Sequence, residues 1–392
     1  IVNDAIASLS MISKKGSNDW NNPFIEELLC SGKGKQIESF YEKKEARCRA
    51  RLITFEEENN PDKIGDLIIL KKEIPNRKEK GIILIAYNEA INKFPVLFDI
   101  DKIAKSYRII LEPSHAGYQN VNLFYYVHQE LDVIIQSPYK RDFEFISKLK
   151  GRFYPSTIGA GDWCDDQLFN VNHQEKIYDI VMLGSWHIVK RHDLLFRSLA
   201  NIRPFLKAAV IGYPIEDRTL DDVMETAEKY SVKDNVMFFN FIKHEKIVGI
   251  LNQSKVSMML SWKEGANRAI YESIFCNVPI IVFENVIGIN RDVVNMQTGV
   301  FTSYDNLEKT INFMLKNLDI FTPRDWAVKN SGYKIATERI NNLVKEIALK
   351  QNESWTKDIY PKKNSPHLAY VSADHYIDLK DEYSKLENYL RK

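Results

Sequence analysis

Ser261-Trp262-Lys263-Glu264-Gly265-Ala266-Asn267-Arg268-Ala269-Ile270-Tyr271-Glu272-Ser273-Ile274-Phe275-Cys276 reads as a small polar turn opening an apolar helix, with two glutamates eight positions apart. A strand-like run, Val256 to Leu260, precedes it; Asn277-Val278-Pro279 and a second strand-like run, Ile280 to Phe283, follow. The turn therefore lies at the carboxyl end of a strand, where open α/β sheets bind their ligands. The Gly265-Ala266-Asn267 turn brings backbone N–H groups and a helix N-terminus toward an anion, and the two carboxylates are suited to accept hydrogen bonds from sugar hydroxyls. A nucleotide-linked sugar carries both kinds of group.

Outward from this turn the chain alternates short apolar runs with longer amphipathic ones. Upstream and downstream the strand-like runs are Ile180 to Leu183, Ala208 to Ile211, Val236 to Phe239 and Val300 to Thr302. Helical patterns fill the gaps at His192 to Ala200, Asp222 to Tyr230 and His244 to Leu251, and Asn306 to Leu315 follows the last strand. An earlier series, Leu67 to Leu70, Ile82 to Ala86, Ile109 to Leu111 and Val133 to Ile135, is interleaved with helical stretches around Gln119 to Val127 and Arg141 to Leu149. Both series imply βαβ units and parallel sheets. The expected organisation is a helical lead-in over 1–60, a first Rossmann-like domain over 61–165, a second over 166–350, and a tail over 351–392 ending in a charged helix. Ile158 to His173 reads as the linker, and a cleft between two such domains is where a small-molecule site is expected.

A chain of 392 residues is too long for one ordinary core, in keeping with two domains plus appendages. Its 54 Lys and Arg against 53 Asp and Glu leave a formal charge of +1, which disfavours nucleic acid as a partner. Cys30, Cys48, Cys164 and Cys276 form no CxxC pair and fit reduced thiols in a cytoplasmic protein, with no structural metal expected. No apolar run reaches the roughly 18 residues of a membrane span. Because the chain begins with Ile1, any segment ahead of it is open, as is peripheral contact with the inner face of a membrane.

Glu264-Gly265 through Glu272, with Ser273-Ile274-Phe275-Cys276-Asn277-Val278-Pro279-Ile280-Ile281-Val282 behind it, resembles the E-x7-E segment and trailing EAxxxGxPVV pattern of retaining glycosyltransferases of the GT-B fold, family 4. Ile180 to Leu195, with Gly184-Ser185 and Lys190, is similar to that family's first strand of the second domain, its GR turn and its donor-binding lysine. Ile158-Gly159-Ala160-Gly161-Asp162 and Phe169 resemble the family's interdomain xNGVDxxxF segment. The resemblance covers roughly residues 155 to 320 and implies two Rossmann-like domains facing across a cleft. It implies that Glu272 holds the ribose hydroxyls and Glu264 the donor sugar. Backbone N–H groups of Ala266, Asn267 and Arg268 would meet the sugar or the phosphates beside Gly265, Gly184 and Ser185, and Lys190 would neutralise the diphosphate. The departing phosphate itself would accept the acceptor's proton, so no side-chain nucleophile and no metal is called for.

Two positions depart from the pattern. Ser185 stands where the family has Arg, leaving Arg268, Lys263 or Arg191 to restore the charge, and Gly265-Ala266-Asn267-Arg268-Ala269 replaces the customary GFGLP. In the first domain, His115 resembles by position the family's histidine that approaches the donor sugar, and Asn88 and Glu89 follow a strand toward the same side. Phe98-Asp99-Ile100-Asp101 resembles the metal-binding Asp-x-Asp of the other large glycosyltransferase fold, but so short a pattern arises readily by chance in an acid-rich chain. The expected activity is transfer of a sugar from a nucleotide diphosphate donor to a hydroxyl of a glycan or a lipid-linked intermediate, with retention, and no cofactor beyond the donor itself. A nucleotide-sugar epimerase or hydrolase on the same fold, or a noncatalytic nucleotide-sugar-binding subunit of a synthase complex, remain the alternatives.

Overall fold

The computed structural model describes residues 67–114, 123, 126–149, 152–215, 218–265, 267–364 and 368–391. The expected lead-in over 1–60 and most of the helix around Gln119 lie outside these residues, as do His115, Ala266 and the side chain of Glu89. The chain divides into two compact units. The first runs to Gly159 and takes up Thr337–Lys362 and the residues from Leu368 on; the second is Ala160–Ala336 with the stretch that begins at Lys363.

The first unit is built on a five-stranded sheet in the order β1 (Leu67–Lys71), β2 (Gly81–Ala86), β3 (Tyr107–Glu112), β4 (Val133–Gln136) and β5 (Phe153–Ser156). Between them run helices α1 (Asn88–Leu97), α2 (Ile100–Ser106) and α3 (Lys140–Ser147). Ile109, Ile110 and Leu111 are all fully buried, as expected of a parallel strand covered on both faces. The expectation of a parallel sheet needs one correction: β1 pairs antiparallel to β2. Only Lys72 to Lys80 join the two, folded back by reciprocal bonds between Ile74 and Glu79, and a parallel crossover takes roughly a dozen residues or more. The exposed edge this leaves is closed by the tail. The hydroxyl of Tyr383 accepts from the Ile69 amide at 3.0 Å and that of Tyr370 donates to the Ile69 carbonyl at 2.5 Å, covering groups that would otherwise offer an open ladder.

The returning segment is tied to the amino ends of the same sheet by charge. Asp132 lies between Arg108 at 2.9 Å and Arg152 at 2.7 Å, and Arg108 reaches Glu353 at 2.8 Å. Burial alone would raise the Asp132 carboxyl; Arg152, Arg108 and Gln351 together outweigh it and hold it below its usual range.

The second unit carries β6 (Tyr178–Leu183), α4 (His192–Asn201), β7 (Ala208–Gly212), α5 (Leu220–Lys229), β8 (Val236–Asn240), α6 (His244–Asn252), β9 (Ser254–Met259), α7 (Arg268–Phe275), β10 (Ile280–Phe283), β11 (Gly299–Thr302) and α8 (Leu307–Lys316). All six strands are parallel and lie in the order β11-β10-β9-β6-β7-β8. Within the sheet the chain runs outward from β6 in one direction, returns, and runs outward from β9 in the other; this is the doubly wound Rossmann order. Strand alternation sends Ile180, Met182, Val256 and Met258 into the core on one face. Val181, Met259 and Ile280 enter the core on the other. Each such burial contributes about 1.5–3 kcal/mol. The strand order puts the topological switch point between β6 and β9, at the two loops singled out in the sequence. Among the described residues no helix is long and apolar enough to cross a membrane.

Candidate functional site

Hydrogen bonds between strand ends bring the loops after β6, β7 and β8 together. The Gly184 amide donates to Ile211 O at 3.0 Å, Trp186 N to Tyr213 O at 2.9 Å, and Phe241 N to Gly212 O at 3.0 Å. Gly212 is needed for this close approach, since a Cβ there would stand 2.4 Å from Gly184 O and 2.5 Å from the Trp186 ring. From Gly184-Ser185 the chain enters a short 3-10 turn, Ile188–Lys190, and the Lys190 stem folds back over Gly184, its Cδ at 3.1 Å from where a Cβ would be. A larger residue at 184 would push the amine away.

On the neighbouring strand, β9 leads through Ser261 to Glu264. The Glu264 amide donates to Ile287 O at 2.9 Å, and Ile287 N to Trp262 O at 3.1 Å. Gly288, at φ +93°, backs onto this segment so closely that a Cβ would stand 1.7 Å from Glu264 O. Asn267 then starts α7, its side chain accepting from Ile270 N at 3.0 Å. The amides of Arg268 and Ala269 belong to the helix's first turn, which has no intrahelical acceptors.

These loops enclose a cavity of about 540 Å³, whose wall includes Gly184, Ser185, Lys190, Glu264, Asn267, Arg268 and Glu272. Its chemical centre is an ion pair: Lys190 Nζ stands 2.6 Å from Glu264 Oε1, with the lysine one-fifth exposed and the carboxylate buried. Glu272 is buried on α7, and Gly265 is half-buried in the intervening turn. Burial, and then the Glu272 carboxylate, push the neighbouring Cys276 thiol up to about 12, so it stays protonated and is no nucleophile. His192, behind Lys190 and against Trp186, is driven down to about 3 by burial and by the charges of Arg218 and Lys190, so its ring is neutral.

The other expected residues divide. The Arg268 guanidinium donates to Asn364 O at 3.0 Å, and Arg191 lies over the Phe283 ring. Asn88 is tied to the end of β3, accepting from Ser114 N at 3.0 Å. Asp99 caps α2, accepting from the amides of Asp101 and Lys102, while Asp101 meets His128 at 3.2 Å. The Asp-x-Asp pattern is thereby explained as a helix start. The sequence reading missed the opposite wall of the cavity, formed by Tyr213, Phe241, Ile242, Lys243, His244 and Ile247. The Tyr213 and Phe241 rings lie 6.1 Å apart at its mouth, Phe241 largely exposed and held at φ +51°. The only local signal was their place just past strand ends.

Comparison with known proteins places this fold. The fold is similar to that of sucrose-phosphate synthase from Thermosynechococcus elongatus, with 16% identity, 69% of this chain and 74% of that chain covered, and a TM-score of 0.55. The lipopolysaccharide outer core galactosyltransferase WaaB is similar at 13% identity over 66% of this chain and 72% of that chain, with a TM-score of 0.49. By sequence, a 4-hydroxy-3-methylbut-2-enyl diphosphate reductase of Thermoanaerobacter sp. (strain X514) is 25% identical over 228 residues, 55% of this chain and 73% of that protein. The fold is thus the α/β GT-B fold expected from the sequence. Residues 165–329, which hold the cavity, match the family of glycosyl transferases group 1.

Proposed function

We propose that this protein is a retaining, metal-independent glycosyltransferase of family 4 type that moves a sugar from a nucleotide diphosphate donor to a hydroxyl of a glycan or lipid-linked acceptor. The observation that carries this reading is the Lys190–Glu264 pair, 2.6 Å apart in a cavity at the switch point of a doubly wound sheet. A cation for the diphosphate and a carboxylate for sugar hydroxyls stand side by side, beside the amino end of α7. Glu272 lies about one turn further along that helix, at the reach of a ribose. The Tyr213 and Phe241 rings offer a base a flat apolar face.

Cleavage of the anomeric C–O bond leaves positive charge on the sugar and negative charge on the nucleoside diphosphate. Lys190 and the first-turn amides of α7 stabilise that negative charge as it develops, in a partly enclosed site where fixed dipoles act strongly. Glu264 fixes the sugar through its hydroxyls, which orients the anomeric carbon. The leaving phosphate takes the proton of the incoming acceptor hydroxyl on the same face, which gives retention without a protein nucleophile.

The test is transfer of labelled sugar from a panel of nucleotide sugars to added hydroxyl acceptors, with the anomeric configuration of the product read by NMR. Label in the acceptor with the donor's configuration is expected. A donor altered without any acceptor would mean an epimerase or hydrolase, and a donor bound but unchanged a binding subunit.

A further inference from the structure

Arg191 holds φ +59° and ψ +50°, the left-handed region, where the turn Ile188–Lys190 gives way to α4. This backbone suits glycine and strains any residue with a Cβ. The Arg191 side chain is therefore what the position adds. Its guanidinium carbon lies 5.0 Å from the centre of the Phe283 ring and 5.9 Å from that of Trp262. Phe283 ends β10, Trp262 follows β9 and Arg191 follows β6, and these three strands are successive neighbours in the sheet. Two adjacent residues of one turn thus diverge: Lys190 goes to Glu264, and Arg191 crosses to the ends of the next two strands. Trp262 and Glu264 belong to one segment held by Ile287. The turn and this segment are joined twice, once by an ion pair and once by cation–π contact.

We infer that Arg191 is a positioning residue, whose guanidinium, lodged against Phe283 and Trp262, holds the turn so that the Lys190 amine stays on Glu264 within the cavity. This deepens the donor-site reading and rests on it for the function of Lys190. Lys190 forms the cavity wall and Arg191 does not, so Arg191 acts through its neighbour. It does not replace the guanidinium missing at Ser185.

The inference is tested on the full chain by competitive acylation of lysines with acetic anhydride, read residue by residue by mass spectrometry, in wild type, Arg191→Gly and Arg191→Lys. Glycine fits the left-handed backbone, so Arg191→Gly removes the side chain without adding strain. Acylation of Lys190 is expected to rise about five-fold in Arg191→Gly, the order of a lost cation–π contact, and to stay near wild type in Arg191→Lys. Lys255, paired with Asp179 at 2.7 Å in the same unit, serves as the control and stays unchanged. Equal Lys190 rates in wild type and Arg191→Gly would overturn the inference, and so would a rise at Lys255 as large as that at Lys190, which marks general loosening. A parallel titration of the same proteins with UDP, GDP and ADP reports the donor reading separately. If Lys190 is released and none of the three binds even wild type, the positioning role stands and the donor reading falls.

Discussion

Lys190 Nζ and Glu264 Oε1 stand 2.6 Å apart, joining the loop after β6 to the loop after β9 across the switch point of the second sheet. Each is the other's neutralising partner, so a diphosphate that takes up Lys190 must loosen its hold on Glu264. The carboxylate is then released for a sugar hydroxyl. On the proposed donor reading, the pair couples recognition of the two halves of a nucleotide sugar.

This coupling predicts opposite effects of one substitution. Glu264→Gln removes the competitor for Lys190 and should tighten binding of the free nucleoside diphosphate about five-fold, the size of a partly exposed ion pair. Transfer from the nucleotide sugar should fall by roughly a hundred-fold, since the sugar loses its charged partner. Calorimetric titration and steady-state transfer on the same variant check both halves.

Gly288 should tolerate no side chain. At φ +93°, with a Cβ clashing at 1.7 Å with Glu264 O, Gly288→Ala is strained in its own backbone and displaces the segment that bears Glu264. A loss of about 2–4 kcal/mol is expected, read by denaturant unfolding, with transfer reduced in the protein that remains folded.

His192 makes stability depend on pH. Its buried ring nitrogens have no hydrogen-bond partner among the described residues, and its value is lowered from 6.5 to about 3. Between these values the unfolded chain binds a proton that the folded chain refuses. Stability is therefore lost as pH falls below about 6.5, by up to about 1.4 kcal/mol per unit. His192→Leu should flatten that slope and be at least as stable as wild type at neutral pH, because an unpaired buried polar group is removed. Unfolding curves from pH 7 to 4 compare the two.

Asp132 is shifted in the same direction as His192, downward, and its stabilisation is likewise lost as pH falls. The Arg108 and Arg152 guanidinium groups hold its carboxyl below the ordinary 3.8, so its stabilisation is complete above that value and disappears as pH falls through the lowered one. Asp132→Asn leaves two buried or half-buried cations without their shared partner. It should cost about 3–5 kcal/mol, seen as early unfolding of the first unit by hydrogen exchange.

The strand runs were legible because buried parallel strands are unbroken apolar stretches, and all ten seen in the sequence are strands. β5 was not, since Phe153-Tyr154-Pro155-Ser156 is short and carries a proline, which marks an edge strand and lowers the apolar signal. The direction of β1 was hidden because apolar patterning is the same for either pairing; only the shortness of Lys72 to Lys80 carries the answer. Within the site, Glu264, Glu272 and Lys190 were readable through motif spacing. Tyr213 and Phe241 were not, because nothing in their local sequence sets them apart from core aromatics. Arg268 meets Asn364, a carbonyl 96 residues away, and no local pattern encodes so distant a partner. The left-handed backbone of Arg191 was equally silent, as sequence suggests that conformation only where glycine or asparagine stands.

The most direct test is calorimetric titration of wild type and Lys190→Ala with UDP, GDP and ADP. The donor-site account predicts that at least one of these binds wild type and that Lys190→Ala weakens it about ten-fold or more, a loss of roughly 1.4 kcal/mol or above. Binding of equal strength in the two proteins, or no binding of any of the three to wild type, would contradict it.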